Sequence, residues 1–306
     1  MRVLVTGAAG FIGSNVVKYL ESKSIDTVSF DNFSHSNYYN ILNTKGEVVC
    51  GDVTDKNFYK NIPEVDAVIH QAAITDTTLA DDAKMVEVNY NGFLNVFNFC
   101  VKKNIPLVYA SSAGVYGKTD KKMSEEEKVI PHNTYAYSKY LCDCWSKKYV
   151  KANKTPPIIG LRYFNVYGPQ ESHKKKASSM IYQLYNQMVQ GQRPRIFKFG
   201  EQKRDFIYVK DIARVTAEAV NLEKSVISNV GTGQPRSFND IIAILNKLLG
   251  KKLEPDYIDN PYQKVYQDYT EADITTLTQV LGAKTEYSLE EGIRDYLKNY
   301  LFCNQQ

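Results

Sequence analysis

The chain begins with a β-branched run, Arg2-Val3-Leu4-Val5-Thr6, that passes directly into Gly7-Ala8-Ala9-Gly10-Phe11-Ile12-Gly13. No other stretch restricts the fold as tightly. Glycines at every third position, behind a strand and ahead of a helical pattern, answer three physical demands. They allow a tight turn, close approach of backbone N–H groups to an anion, and a helix seated hard against its strand. Gly7 and Gly10 serve the turn and the approach, and Gly13 lets the helix settle, with Phe11 and Ile12 between them. A loop of this kind at a helix N-terminus suits the pyrophosphate of a dinucleotide.

The first half keeps the same rhythm of short β-branched runs and longer helical patterns. Strands are expected at Arg2–Thr6, Thr27–Asp31, Glu47–Cys50, Ala67–His70, Pro106–Ala110 and Ile158–Tyr163, with helices starting near Phe11, Asp81 and Thr134. Apolar residues on both faces of the strands suit a parallel sheet covered on both sides. After Asn165 the rhythm changes. A basic stretch, His173–Ser179, leads into a helix; Arg204–Tyr208 and Ser228–Val230 read as strands, and Phe238–Leu249 as a helix opened by Ser237. The expected fold is α/β, a doubly wound parallel (Rossmann) sheet with a smaller α/β substrate lobe interleaved in sequence. Residues 1–165 and 206–235 would form the cofactor domain, and 166–205 and 236–306 the lobe.

Composition narrows the function classes. Lys and Arg total 38 against 34 Asp and Glu, and a surplus of +4 is too thin for a nucleic-acid binder, though it fits an anionic small ligand. Five cysteines (Cys50, Cys100, Cys142, Cys144 and Cys303) with no C-x-x-C pair argue against both a disulfide framework and a metal site. No apolar run approaches a membrane span. The N-terminus lacks the cationic and long apolar regions of a signal peptide, so the cytoplasm is the expected location.

Asp31 closes the second strand eighteen residues after Gly13. A carboxylate there accepts hydrogen bonds from ribose hydroxyls and repels a 2′-phosphate, favouring NAD over NADP; the competing role is a strand-end turn. Asp52, after Val49-Cys50-Gly51, suits an adenine contact, and Lys56 nearby would serve a 2′-phosphate, keeping NADP open. Among 23 tyrosines, Tyr135 stands four residues before Lys139, so phenol and ammonium share a helix face. An adjacent cation favours phenolate and lowers the phenol toward working range, making Tyr135 a candidate general acid/base. Ser111-Ser112 follows the strand that ends at Ala110.

Taken together, the glycine loop, Ser112, Tyr135 and Lys139 resemble the extended short-chain dehydrogenase/reductase family over essentially the whole chain. Further matches are Arg162-Tyr163-Phe164-Asn165-Val166-Tyr167-Gly168-Pro169, Arg204-Asp205-Phe206-Ile207-Tyr208-Val209 and Asn229-Val230-Gly231-Thr232-Gly233. The resemblance implies an NAD(P)-dependent enzyme acting on a nucleotide-diphosphate sugar, self-associated as a dimer or larger. It assigns Ser112 to orienting the reacting hydroxyl, and Asn32, Val53, Gln71, Ala72, Ala73, Asn89 and Val166 to the cofactor. Asn165, Gln183, Phe197, Arg204 and Tyr266 are assigned to the substrate, with Arg204 facing the diphosphate.

Within the family, 4,6-dehydratases carry Thr-Asp-Glu where this chain has Ser112-Ala113-Gly114, and no cysteine lies near Ser112 for a 3,5-epimerase. That leaves redox epimerases, which oxidise a carbinol to a ketone and return the hydride to its other face. The segment Gln170-Glu171-Ser172-His173-Lys174 and the tail from Tyr262 to Asp273, with Thr77-Thr78, resemble the branch that epimerises C6 of an ADP-linked heptose. That branch uses a lysine at the position of Lys174 as a second acid/base. A solvated run, Lys174-Lys175-Lys176, and simple diphosphate attraction are the competing roles. The chain departs from the branch at Tyr38, Lys176 and Gln183. A UDP-hexose 4-epimerase needs only Ser112, Tyr135 and Lys139 and is the second reading; a cofactor-sensing protein without turnover is a third.

Overall fold

The computed structural model describes residues 1–76, 81–152, 155–261 and 267–302. Strands are β1 (Arg2–Thr6), β2 (Asp26–Asp31), β3 (Glu47–Cys50), β4 (Ala67–His70), β5 (Leu107–Ser112), β6 (Ile158–Tyr163), β7 (Asn165–Tyr167), β8 (Arg195–Phe197), β9 (Lys203–Tyr208), β10 (Val226–Val230), β11 (Pro235–Ser237) and β12 (Asp256–Ile258). Helices are α1 (Phe11–Ser22), α2 (Asp82–Val86), α3 (Gly92–Lys103), α4 (Thr134–Ala152), α5 (Met180–Val189), α6 (Val209–Glu218), α7 (Phe238–Leu249), α8 (Thr275–Gln279) and α9 (Leu289–Tyr296).

Seven of the described strands form one sheet in the order β10-β6-β5-β4-β1-β2-β3, and every pairing in it is parallel. This is the doubly wound fold expected from the alternating pattern. Val3, Val5 and Ile69 pack under α1 and α6, whereas Leu4, Val28 and Val68 pack under Phe93, Val96 and Phe97 of α3. Burying each such side chain contributes about 1.5–3 kcal/mol, which explains why these strands read apolar on both faces. A third buried group joins α5, α7 and α9 to Phe206 and Tyr208 of β9. Ser237 caps α7 in a reciprocal arrangement with Asp240, as a serine ahead of an apolar helix should.

Strand β5 runs two residues beyond the expected end. Its partner β6 continues to Tyr163, so Ser111 and Ser112 pair with Arg162 and Tyr163 and remain in the ladder. The strand order reverses between β1 and β4, and in open parallel sheets that switch point opens a crevice at the carboxyl ends of the strands. No helix among the described residues is long and apolar enough to cross a membrane.

Candidate active site

At the end of β1 the backbone turns through Gly7 with φ +67°. Gly10 N–H donates to Gly7 O at 3.1 Å, and Ser14 N–H donates back to Gly10 O at 3.1 Å. The N–H groups of Phe11, Ile12 and Gly13 precede the first intrahelical donor and have no acceptor within α1. Gly10 is the cap residue, so no capping side chain covers them. A Cβ on Gly13 would lie 2.1 Å from Gly7 O, and one on Gly7 would lie 2.6 Å from Ala72 N. The helix therefore sits on the loop, and the loop on the chain leaving β4. Against this opens a cavity of about 750 Å³. Bare helix N–H groups, a floor without Cβ atoms and an elongated cavity at the switch point fit a dinucleotide.

Asp31 is buried at the cavity wall. It accepts from Ala9 N–H at 2.9 Å, Phe33 N–H at 2.8 Å and Ser36 Oγ at 2.9 Å. A carboxylate offers about four lone-pair sites, so the turn-forming role leaves room for a ribose hydroxyl. Asn32 donates to Asp52 at 2.9 Å. Burial disfavours the Asp52 carboxylate, but hydrogen bonds from Thr54 and Asn32 outweigh it and hold the group below its ordinary value. Val53, Gln71, Ala72, Ala73 and Val166 also line the cavity. Ser34, His35 and Ser36 line it too; their signal was the polar run immediately after Asp31. Lys56 is exposed and outside the lining.

Helix α4 starts with Asn133 accepting from Ala136 N–H at 2.8 Å, which puts Tyr135 in its first turn and Lys139 one turn later. Both line the cavity, together with Ser112. Lys139 is buried and donates to Ala110 O at 2.9 Å, with its ammonium 6.0 Å from the Tyr135 ring centre. Burial pushes the Tyr135 phenol above its ordinary value, and a hydrogen bond from Ser112 works against that rise. The expected lowering by Lys139 is thus not found: the ammonium is turned to the Ala110 carbonyl, and desolvation of the phenol dominates. Burial likewise lowers Lys139. Ser111, also on the wall, has a buried hydroxyl without a protein partner.

Lys174 lies in the short helical turn Ser172–Ala177. It is half-buried on the same cavity, its ammonium 5.6 Å from the Phe11 ring centre. Burial lowers its value, opposed by the charges of Glu171 and Asp76. Lys175 and Lys176 are exposed, although Lys175 also borders the cavity, so the solvated-run role describes Lys176 and not Lys174. Asn165 lines the cavity while accepting from Thr270 at 3.0 Å. Sequence reasoning missed Asp76 and His173, which also face it.

Four expected ligand contacts lie elsewhere. Asn89 is buried behind the wall, accepting from Ile74 N–H at 2.8 Å and donating to Ile74 O and Ser138 Oγ at 3.0 Å each. With both ends of its amide occupied, it ties the loop after β4 to α4. Gln183 turns back to donate to the carbonyls of Lys176 at 3.2 Å and Ser178 at 2.8 Å. Phe197 is in β8, whose two-stranded sheet with β12 does not reach the cavity. Arg204 is buried in β9, donating to Lys203 O at 3.0 Å and to Gln267 O, its guanidinium 5.9 Å from the Phe238 ring centre. It is not on the cavity wall. Tyr266, the rest of 262–266, and Thr77-Thr78 lie outside the described residues.

Residues 3–231 match the model of a family described as the NAD dependent epimerase/dehydratase family. An ADP-L-glycero-D-manno-heptose-6-epimerase of Brachyspira hyodysenteriae is 38% identical, covering 96% of this chain and 96% of its own. A solved enzyme of that name from Helicobacter pylori is 36% identical over 97% of this chain and 95% of its own, with a TM-score of 0.91. The solved UDP-glucose 4-epimerase of Thermotoga maritima also has a TM-score of 0.91, covers both chains fully, and is 27% identical.

Proposed function

The chain belongs to the NAD dependent epimerase/dehydratase family, and on that premise we propose that it is an NAD-dependent epimerase of an ADP-linked glycero-manno-heptose, acting at C6. One observation carries the choice of carbon: Tyr135 from α4 and Lys174 from the turn before α5 line one cavity beside the glycine loop. Inversion at C6, with the substrate bound in two orientations, calls for a proton acceptor in each, and these two groups supply them. Bound NAD would accept the hydride and give it back to the opposite face. Ser112 orients the reacting hydroxyl, Tyr135 takes or returns its proton, and Lys139 holds the ribose side of the cofactor. Asp31 favours NAD over NADP.

The same reading treats residues 1–165 and 206–235 as the cofactor domain and 166–205 with 236–306 as the substrate lobe. The return of β10 to the main sheet supports it. It also makes the enzyme a cytoplasmic homo-oligomer in surface-polysaccharide synthesis. Incubation with ADP-, UDP- and GDP-sugars in heavy water, with stereochemistry followed by NMR, tests it. Inversion at C6 of the ADP-heptose without release of NADH is the expected result, and free NADH accumulating would sink the epimerase. A UDP-hexose 4-epimerase is the second reading, favoured by the Thermotoga fold match; C4 inversion of a UDP-hexose would identify it.

A further inference from the structure

We infer that Glu171 is a positioning residue for Lys174, its carboxylate clasping both ends of the segment that carries the lysine and so holding the ammonium at the cavity wall. The inference rests on the reading of Lys174 as an acid/base group.

Glu171 is fully buried. One carboxylate oxygen accepts from Gly168 N–H at 3.0 Å and Ser179 Oγ at 2.9 Å, and the other accepts from Ser179 N–H at 2.5 Å. Burial, and then the negative charge of Glu171, push the Tyr296 phenol of α9 up. With three donors on the roughly four lone-pair sites that a carboxylate offers, the pocket is shaped for the acceptor-only, ionised form. Burial pushes Glu171 up; the hydrogen bonds from Gly168 and Ser179 and the charge of Lys174 pull it down.

The clasp sits where the chain needs one. Gly168 directly follows β7, and Ser179 is the cap of α5, accepting from Tyr182 N–H at 3.2 Å. One buried side chain thus joins the end of a strand to the start of a helix. The residues between those anchors include His173, Lys174 and Ser178 on the cavity wall. Lys174 N–H donates to Glu171 O at 3.0 Å, so the lysine hangs one turn from the clasp. The charged groups acting on Lys174 are Glu171 on its own segment and Asp76 from the loop after β4, with His173 alongside. Of the two carboxylates, Glu171 is buried and Asp76 exposed. Glu171 therefore sets both the place and much of the electrostatic support of the ammonium.

The test is Glu171→Gln in the NAD-loaded enzyme. The amide places an N–H₂ against a backbone N–H and opens the clasp. The expected result is about a hundredfold lower kcat for C6 epimerisation, the loss typical of a group misplaced by an ångström. Titrated NAD affinity stays unchanged, and amide exchange across residues 172–178 becomes faster. In a Lys174→Met background the same change shifts kcat by less than about threefold, because both variants act through one ammonium. Ser179→Ala removes one donor and keeps the carboxylate; it should show the same background dependence, and it carries the test if Glu171→Gln does not fold. Wild-type kcat in Glu171→Gln, or losses that multiply in the Lys174→Met background, overturns the inference alone. Full activity of Lys174→Met on the ADP-heptose overturns the reading beneath it as well.

Discussion

The two walls of the cavity are built by different means. The wall beneath the proposed pyrophosphate is backbone from one contiguous loop, Gly7 to Gly13, with its shape dictated by missing Cβ atoms. The wall that carries Lys174 is a side chain on a short turn, held by a buried carboxylate whose donors come from Gly168 and Ser179. The first is rigid because nothing larger than glycine fits. The second is rigid only while a buried charge keeps all its partners. A site of the first kind tolerates no added atom but needs no distant support, whereas one of the second kind can be undone from another element.

The sharpest test of this contrast is removal of the phenol that works between the walls. Tyr135→Phe should lower kcat by about 10²–10⁴-fold, as loss of a general acid/base does, with NAD still bound; near-normal turnover would mean that the proton moves elsewhere. Lys174→Met comes next, with about a hundredfold loss on the ADP-heptose expected on the same grounds. The same variant should leave any 4-epimerisation of a UDP-hexose largely intact, so the two substrates assayed side by side separate the readings. On the backbone wall, Gly13→Ala must displace Gly7 O, and overpacking of that kind costs about 1–3 kcal/mol. Calorimetric titration should show NAD binding weakened while kcat at saturating cofactor changes little. The smallest functional effect belongs to Asn89→Ala. Losing its buried hydrogen bonds costs about 1–3 kcal/mol of folding stability, seen as a lower urea midpoint, and a matching drop in NAD affinity would return Asn89 to the cofactor.

The contrast also explains which residues could be read from the chain. The strand–glycine–helix unit, Asp31, and the Tyr135–Lys139 spacing are local patterns, each set by a turn geometry or a helical repeat, and Gly7, Gly10, Gly13, Asp31, Tyr135 and Lys139 line the cavity. Arg204, Gln183 and Asn89 are polar residues in motifs that resemble ligand-binding ones, yet each is taken up by neighbouring protein groups. Motif position does not reveal that competition, because the competing groups come within reach only once the chain has packed. Asn89, for example, meets Ser138 forty-nine residues away. Glu171 was hidden for the same reason: its sequence neighbours look like a solvated, charged turn, and only the packed chain buries it.

The parallel sheet, the anion-binding loop and the helix face that pairs Tyr135 with Lys139 were thus determined by sequence alone, because φ/ψ limits and the periods of strand and helix act over a few residues. Tertiary structure decided the protonation balance at Tyr135, where desolvation exceeds the help of Ser112 and Lys139 turns to Ala110. It also decided that Lys174 is half-buried on the cavity while Lys175 and Lys176 stay exposed. Both outcomes depend on which groups exclude water from a given atom, and that is a property of the packed chain.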